Sequence, residues 1–306
     1  MVMNGKRAGN RLTHLIGALA LAGAILLTGN ALAQPSAHYV PGVEGIKGST
    51  LPPPGVYVRD YNVFYIADRV NDNSGDEIKG ANPEARIYAN VPRVLWITDT
   101  KVLGAYLGFD ALLPLQYTSL AVNTPGGRFD DSTFSVGDLF FESTLSWHLK
   151  QWDWAFAYGL WAPTGDFSKT NPTHPGLGFW THMFTLGATW YPDVDKKWAV
   201  SALSRYEISH EQKDTDVTPG QVYTLEWAAS YAVRPTIDLG IAGYYQGQTT
   251  ESSGSNDRAQ VFAVGPEINA VCPKLKVITS LRYLYEVYSE NRLQGHTIAL
   301  TFTKRF

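Results

Sequence analysis

Gln221-Val222-Tyr223-Thr224-Leu225-Glu226-Trp227-Ala228-Ala229-Ser230-Tyr231-Ala232-Val233 is the stretch that decides the fold. Tyr223, Leu225, Trp227, Ala229, Tyr231 and Val233 alternate with Val222, Thr224, Glu226, Ala228, Ser230 and Ala232. A period of two places the large apolar groups on one face of a strand and the small or polar ones on the other. Val277, Thr279, Leu281, Tyr283, Tyr285 and Val287 repeat the pattern against Lys276, Ser280, Arg282 and Glu286. So do Trp154, Phe156, Tyr158 and Leu160, then His182, Phe184, Leu186, Ala188 and Trp190, then Trp198, Val200, Ala202 and Tyr206. A helix would scatter these groups around its cylinder.

The connections alternate as well. Short links are expected at 99–100, 150–151, 192–196, 234–235 and 272–274, and long polar ones at 68–83, 116–135, 163–179, 210–220, 249–257 and 288–294. Short turns at one end and long loops at the other are the habit of outer-membrane barrels, whose periplasmic turns are short. Between these connections lie roughly twelve strands of about ten residues, an even number, as closed single-chain barrels have. The expected fold is therefore all-β: a transmembrane antiparallel β-barrel of outer-membrane type. The chain ends on the same alternation, with Ile298, Leu300, Phe302 and the terminal Phe306 sharing parity. A secreted soluble sandwich or lipocalin-like barrel also alternates. Its outer face would need more polar groups than the Gly, Ala, Ser and Thr that occupy the second face here.

Composition agrees. Only 17% of the 306 residues are charged while 13% are aromatic, with 9 Trp, 17 Tyr and 13 Phe. Lys6, Arg7 and Arg11 precede the apolar stretch 15–27, and Ala31-Leu32-Ala33 supplies a small-x-small cleavage pattern, so residues 1–33 read as a secretory signal peptide. Its removal takes away those three bases and no acid, moving the formal charge from −3 to −6. A mildly acidic chain lacks the basic stripe that nucleic acid requires. Residues 34–54, rich in Pro, Gly and Ser, read as an extended periplasmic leader ahead of a barrel over 55–306. The lone Cys272 cannot form an intramolecular disulfide.

With the apolar face toward lipid, the other parity lines the lumen. Glu142, Arg205, Glu226 and Arg282 are each about eight residues from a short turn, near mid-barrel at ~3.3 Å per residue. They admit two readings: a constriction that screens solutes, or an ion-pair network filling a small barrel. Glu207, Glu267, Glu286, Tyr106 and Tyr244 share this face. Ser146 and His148, of one parity on one strand, are close enough for the nucleophile and base of an envelope lipid hydrolase, but no Gly-x-Ser-x-Gly or His-Glu-x-x-His motif occurs. Residues 71–77, NDNSGDE, have the alternating oxygens of a calcium loop but the wrong spacing to a closing Glu for an EF-hand. Neither a catalytic group, a metal nor a cofactor is expected.

Pro53-Pro54-Gly55-Val56-Tyr57, Trp161-Ala162-Pro163-Thr164-Gly165-Asp166, Arg205-Tyr206-Glu207-Ile208, the loop 211–220 and the closing Leu300-Thr301-Phe302-Thr303-Lys304-Arg305-Phe306 carry a further signal. Over 51–306 the chain resembles the outer-membrane protein family associated with the phenol meta-cleavage degradation pathway. The resemblance implies a bacterial outer-membrane barrel tied to aromatic catabolism. The expected function is a passive channel in contact with outer-membrane lipid, with small aromatic or hydrophobic compounds as candidate solutes. The alternative is a structural barrel with a plugged lumen and partner-binding loops. Sequence specifies neither the solute, the pore radius, the oligomeric state nor whether residues 34–54 plug the barrel.

Overall fold

The computed structural model describes residues 37–124 and 127–306; the expected signal peptide lies outside the described residues. All regular structure among them is β: β1 (Gly55–Asn71), β2 (Asn82–Val102), β3 (Ala105–Leu112), β4 (Leu115–Thr124), β5 (Gly127–Val136), β6 (Leu139–His148), β7 (Trp152–Ala162), β8 (Thr181–Trp190), β9 (Trp198–Ser209), β10 (Val222–Arg234), β11 (Ile237–Gln248), β12 (Gln260–Cys272), β13 (Val277–Glu290) and β14 (Arg292–Arg305). Neighbours pair antiparallel around the sheet, and β1 pairs with both β14, from Tyr57↔Arg305 to Asn71↔Arg292, and β2, so the wall closes.

Fourteen segments make twelve wall strands because two are broken. β2 pairs with β3 through Arg93–Val102 and with β4 through Asn82–Asn90. β6 pairs with β3, and β5 with β4. β3 and β4 are thus one strand interrupted at Leu113 and Pro114; β5 and β6 are another, interrupted at Gly137 and Asp138. Pro114 has no N–H to give the ladder. Its carbonyl instead accepts Gly137 N–H at 2.8 Å, and a Cβ on Gly137 would stand 3.0 Å from that of Pro114.

Three expected connections differ in the structure. Residues 116–124 and 127–135 belong to strands β4 and β5, whose Thr, Ser, Asn and Asp disguise them as a loop. The link expected at 288–294 is a reversal on Asn291 alone, at φ 50°, a left-handed conformation that Asn tolerates better than most residues. The turn expected at 99–100 falls at Leu103 and Gly104, with φ of 51° and 83°, the two positive values of a type I′ hairpin.

The alternation sorts the side chains as anticipated. In β7, Trp152, Trp154, Phe156 and Tyr158 are exposed on the outer wall, while Ala155 and Ala157 face inward and are buried. Trp152 stacks on Trp154 at 5.4 Å and on Trp190 at 6.0 Å, and Trp198 meets Tyr231 at 4.9 Å, an aromatic girdle at the short-turn end. Tyr158, His182 and His210 at the other end of the same strands hydrogen-bond in series.

The Trp161–Asp166 motif has a definite task. Among the described residues the far edge of β5 has no partner strand, and the loop 163–180 covers it. Asp166 N–H donates to Val136 O at 2.9 Å, Ser135 Oγ to Asp166 Oδ2 at 2.8 Å, and Asn171 Nδ2 to Asp131 Oδ2 at 2.6 Å. A Cβ on Gly165 would come within 2.5 Å of the Gly137 carbonyl carbon, so this close docking requires glycine.

Candidate functional site: the barrel lumen

The lumen is threaded by the chain's own N-terminal segment. Residues 37–50 do not lie in the periplasm, as expected of the leader; they run up inside the wall from the short-turn end. At the bottom Thr50 Oγ1 donates to Asp153 Oδ2 at 3.0 Å, and Lys47 Nζ pairs with Asp238 at 2.9 Å. Higher, Ile46 N–H donates to Glu267 Oε2 at 2.9 Å, while its side chain packs among Ala228, Ala242, Tyr244, Val261, Ala263 and Leu284. Gly42 N–H and Glu44 N–H both donate to Glu226 Oε1, at 2.8 and 3.0 Å, and Gly42 O accepts Arg282 Nη1 at 2.7 Å. At the top, His38 N–H and Tyr39 N–H converge on Glu207 Oε1 at 2.9 and 3.1 Å.

Wall carboxylates therefore recognise mainly the leader's backbone, and glycine lets it approach. Gly42 has φ 85°, a left-handed value that costs glycine little. A Cβ on Gly45 would fall 2.0 Å from Glu267 Oε2 and 2.5 Å from Arg282 Nε. On the wall side, Gly187 leaves room for Ser49, whose Oγ would meet a Cβ at 2.6 Å. The small inward residues are space left for the leader.

Every charged residue singled out from sequence lies on the inner face and is buried: Glu142, Arg205, Glu207, Glu226, Glu267, Arg282 and Glu286. All but Glu207 enter separate ion pairs, not one ring, and among the described residues Glu207 accepts only the leader's amides. Arg205 Nη1 reaches Glu226 Oε2 at 2.6 Å, Arg282 Nη2 reaches Glu267 Oε1 at 2.8 Å, and Glu142 Oε2 accepts Arg93 Nη2 at 3.0 Å. Glu286 accepts the hydroxyls of Tyr244 and Tyr65 at 2.8 and 2.9 Å. Tyr106 is half-buried and packs near the short-turn end with Leu51, Tyr57, Leu95 and Ile97, away from this cluster. Sequence reasoning missed Arg59, Arg93 and Asp110. Arg93 bonds Asp110 Oδ1 at 2.8 Å, and Arg59 bonds Glu44 Oε1 of the leader at 3.0 Å. The Glu44 carboxylate thus sits between two guanidiniums, with Arg93 Nη1 at 3.6 Å from the same oxygen.

His38 ends the plug in a fitted pocket. Its ring stacks on Trp161 at 5.2 Å and meets the edge of Phe179 at 4.8 Å. Burial pushes its pKa below the ordinary imidazole value against the pull of Asp138. Its Nε2 lies 3.0 Å from Asp138 Oδ2 and its Nδ1 2.9 Å from Thr181 Oγ1, both hydrogen-bond distances. Asp138 also accepts Gly165 N–H and Leu177 N–H, both at 2.8 Å. One carboxylate thus ties the leader to the loop 163–180. Hydrogen bonds to a charged acceptor are worth about 1.5–3 kcal/mol each. Asp138→Ala is expected to speed tryptic cleavage at Lys169 of the folded barrel at least about tenfold, the equivalent of about 1.4 kcal/mol; an unchanged rate would mean the β5 contacts alone hold the loop.

The other sequence candidates do different work. His148 Nδ1 engages Asp153 Oδ1 at 3.1 Å, while the buried Ser146 Oγ has no hydrogen-bond partner among the described residues; the two do not form a nucleophile–base contact. In the 71–77 stretch, Asp72 Oδ1 accepts Ser74 N–H and Asp76 N–H at 2.8 and 3.0 Å, closing the loop on itself.

Among solved structures, the barrel is similar to an outer membrane channel from Pseudomonas putida F1, with TM-score 0.72 at 17% identity over 88% of this chain and 100% of the other. It also resembles the β domain of the Bordetella autotransporter BrkA, with TM-score 0.51 at 10% identity over 83% of this chain and 100% of that one. These likenesses establish the outer-membrane barrel fold. No curated protein matches the sequence. A family model described as putative MetA-pathway of phenol degradation matches residues 67–302, and the chain belongs to that family.

Proposed function

We propose that the protein is an outer-membrane channel for small aromatic or hydrophobic solutes, closed in this conformation by residues 37–50 and conducting when they leave the lumen. The observation that carries this reading is how the plug is held. It is a separate strand of chain inside a complete wall, bonded through backbone N–H groups to Glu207, Glu226 and Glu267, and it can depart without breaking a single wall ladder. Support also comes from the family's link to phenol degradation and from the channel of P. putida F1 that shares the fold. The charged residues of the wall, with Tyr244 and Tyr106, would line the opened path. Cells that express the mature chain in their outer membrane should take up radiolabelled p-cresol several-fold faster than cells without it. Equal initial rates would overturn the assignment.

A further inference from the structure

The leader carries a phenol into the lumen: the side chain of Tyr39. Its ring lies under the Arg205 guanidinium, with the central carbon 3.9 Å from the ring centroid, inside the range where a cation is drawn to an aromatic face. Its hydroxyl donates to Glu226 Oε2 at 2.5 Å. Phe140, Trp161 and Met183 form the apolar wall around it, with Val43 and Leu112 packed behind. Tyr39, Phe140, Trp161, Met183, Arg205 and Glu226 are all buried.

Such a socket recognises chemistry, not merely bulk. The cation selects an aromatic face, the carboxylate selects a hydroxyl at the ring's far end, and the three apolar side chains set the width to one ring. From this we infer that the Tyr39 socket is a binding site for monocyclic phenols, and that Tyr39 occupies it as a built-in surrogate which an incoming phenol replaces. The inference rests on the channel reading for its purpose, since exchange of Tyr39 for a free phenol would withdraw one of the plug's attachments and favour its release.

The geometry sets an order of preference. A ring without a hydroxyl leaves Glu226 Oε2 with only Arg205 and strands an acceptor from which water has been excluded. Sites built to bond a hydroxyl reject the analogue lacking it far more strongly than apolar pockets reject a missing methylene. p-Cresol, which is the tyrosine side chain cut at Cβ, should fit best, and toluene, the same shape without the oxygen, should fit poorly.

Calorimetric titration of the full mature barrel in detergent tests this, with p-cresol and toluene as probes. Tyr39→Ala empties the socket and leaves the wall and the Arg205–Glu226 pair intact. It should bind p-cresol at one site at least about tenfold more tightly than toluene. Wild-type protein, whose own Tyr39 hydroxyl competes for Glu226, should bind p-cresol at least about tenfold more weakly than Tyr39→Ala, and titration into protein-free detergent corrects for partition into micelles. Adding Glu226→Gln to Tyr39→Ala should remove most of the preference for p-cresol. Equal affinity for the two probes, or no binding by Tyr39→Ala while the barrel remains folded by gel mobility, overturns the assignment. The uptake experiment has its own readout, so a barrel that transports but fails here refutes the socket and not the channel.

Discussion

Gly45→Val should open the barrel. In planar bilayers the wild-type protein is expected to be closed most of the time, and the variant to conduct, with open probability raised at least about a hundredfold. The reasoning starts from the clash. A Cβ at position 45 falls 2.0 Å from Glu267 Oε2 and 2.6 Å from Arg282 Nη2, and neither group can retreat. Glu267 is already held by Arg282 Nε at 2.9 Å and Nη2 at 2.8 Å and by Ser280 Oγ at 2.9 Å, and both side chains are at most 3% exposed. The wall is continuous and the leader is not, so the leader yields. Overpacking costs about 1–3 kcal/mol, and the lost bond from Ile46 N–H to a charged carboxylate about 1.5–3 kcal/mol. A hundredfold change needs only about 2.7 kcal/mol. Val40→Ala is the control: Val40 is 52% exposed in the leader, and trimming it leaves every named anchor in place. If Gly45→Val conducts no more than this control, the leader does not close the channel.

How much of this was legible beforehand follows from which groups do the work. The wall was legible because a strand between lipid and lumen writes its two environments into alternate residues, as in Gln221–Val233. Burial of Glu142, Arg205, Glu226 and Arg282 followed from the same parity. The broken strands were not legible, since β4 and β5 use the Thr, Asn, Gly and Asp of loops. The plug was hidden for a deeper reason. It is recognised through backbone N–H groups of His38, Tyr39, Gly42, Glu44 and Ile46, and a backbone donor leaves no mark in a sequence. Gly42 and Gly45 read as slack when they are the points of closest approach. One sign was present in the sequence. The inner face carries Gly, Ala, Ser and Thr where a filled small barrel would carry bulk, and such a face has to be completed by something else.

The second large effect separates the two tasks of Glu226. Its Oε1 accepts Gly42 N–H and Glu44 N–H, and its Oε2 accepts the Tyr39 hydroxyl and Arg205 Nη1. It is thus the meeting point of plug and wall. Glu226→Leu leaves Arg205, 5% exposed, without its ion-pair partner. Breaking a buried pair by removing one member costs about 3–5 kcal/mol, whereas replacing both members by apolar groups is often near neutral. The single variant should therefore unfold at lower urea and release the leader. Arg205→Met with Glu226→Leu should recover most of the wall's stability and still release the leader, because the amides of Gly42 and Glu44 have lost their acceptor in both. Release is read by labelling an Ala37→Cys thiol in a Cys272→Ser background. Ala37 is buried in the plugged state, and its label should enter quickly in both variants and slowly when Glu226 is present. If the double variant regains stability and the thiol becomes protected again, the leader is seated by apolar packing, and the carboxylate serves only to neutralise Arg205.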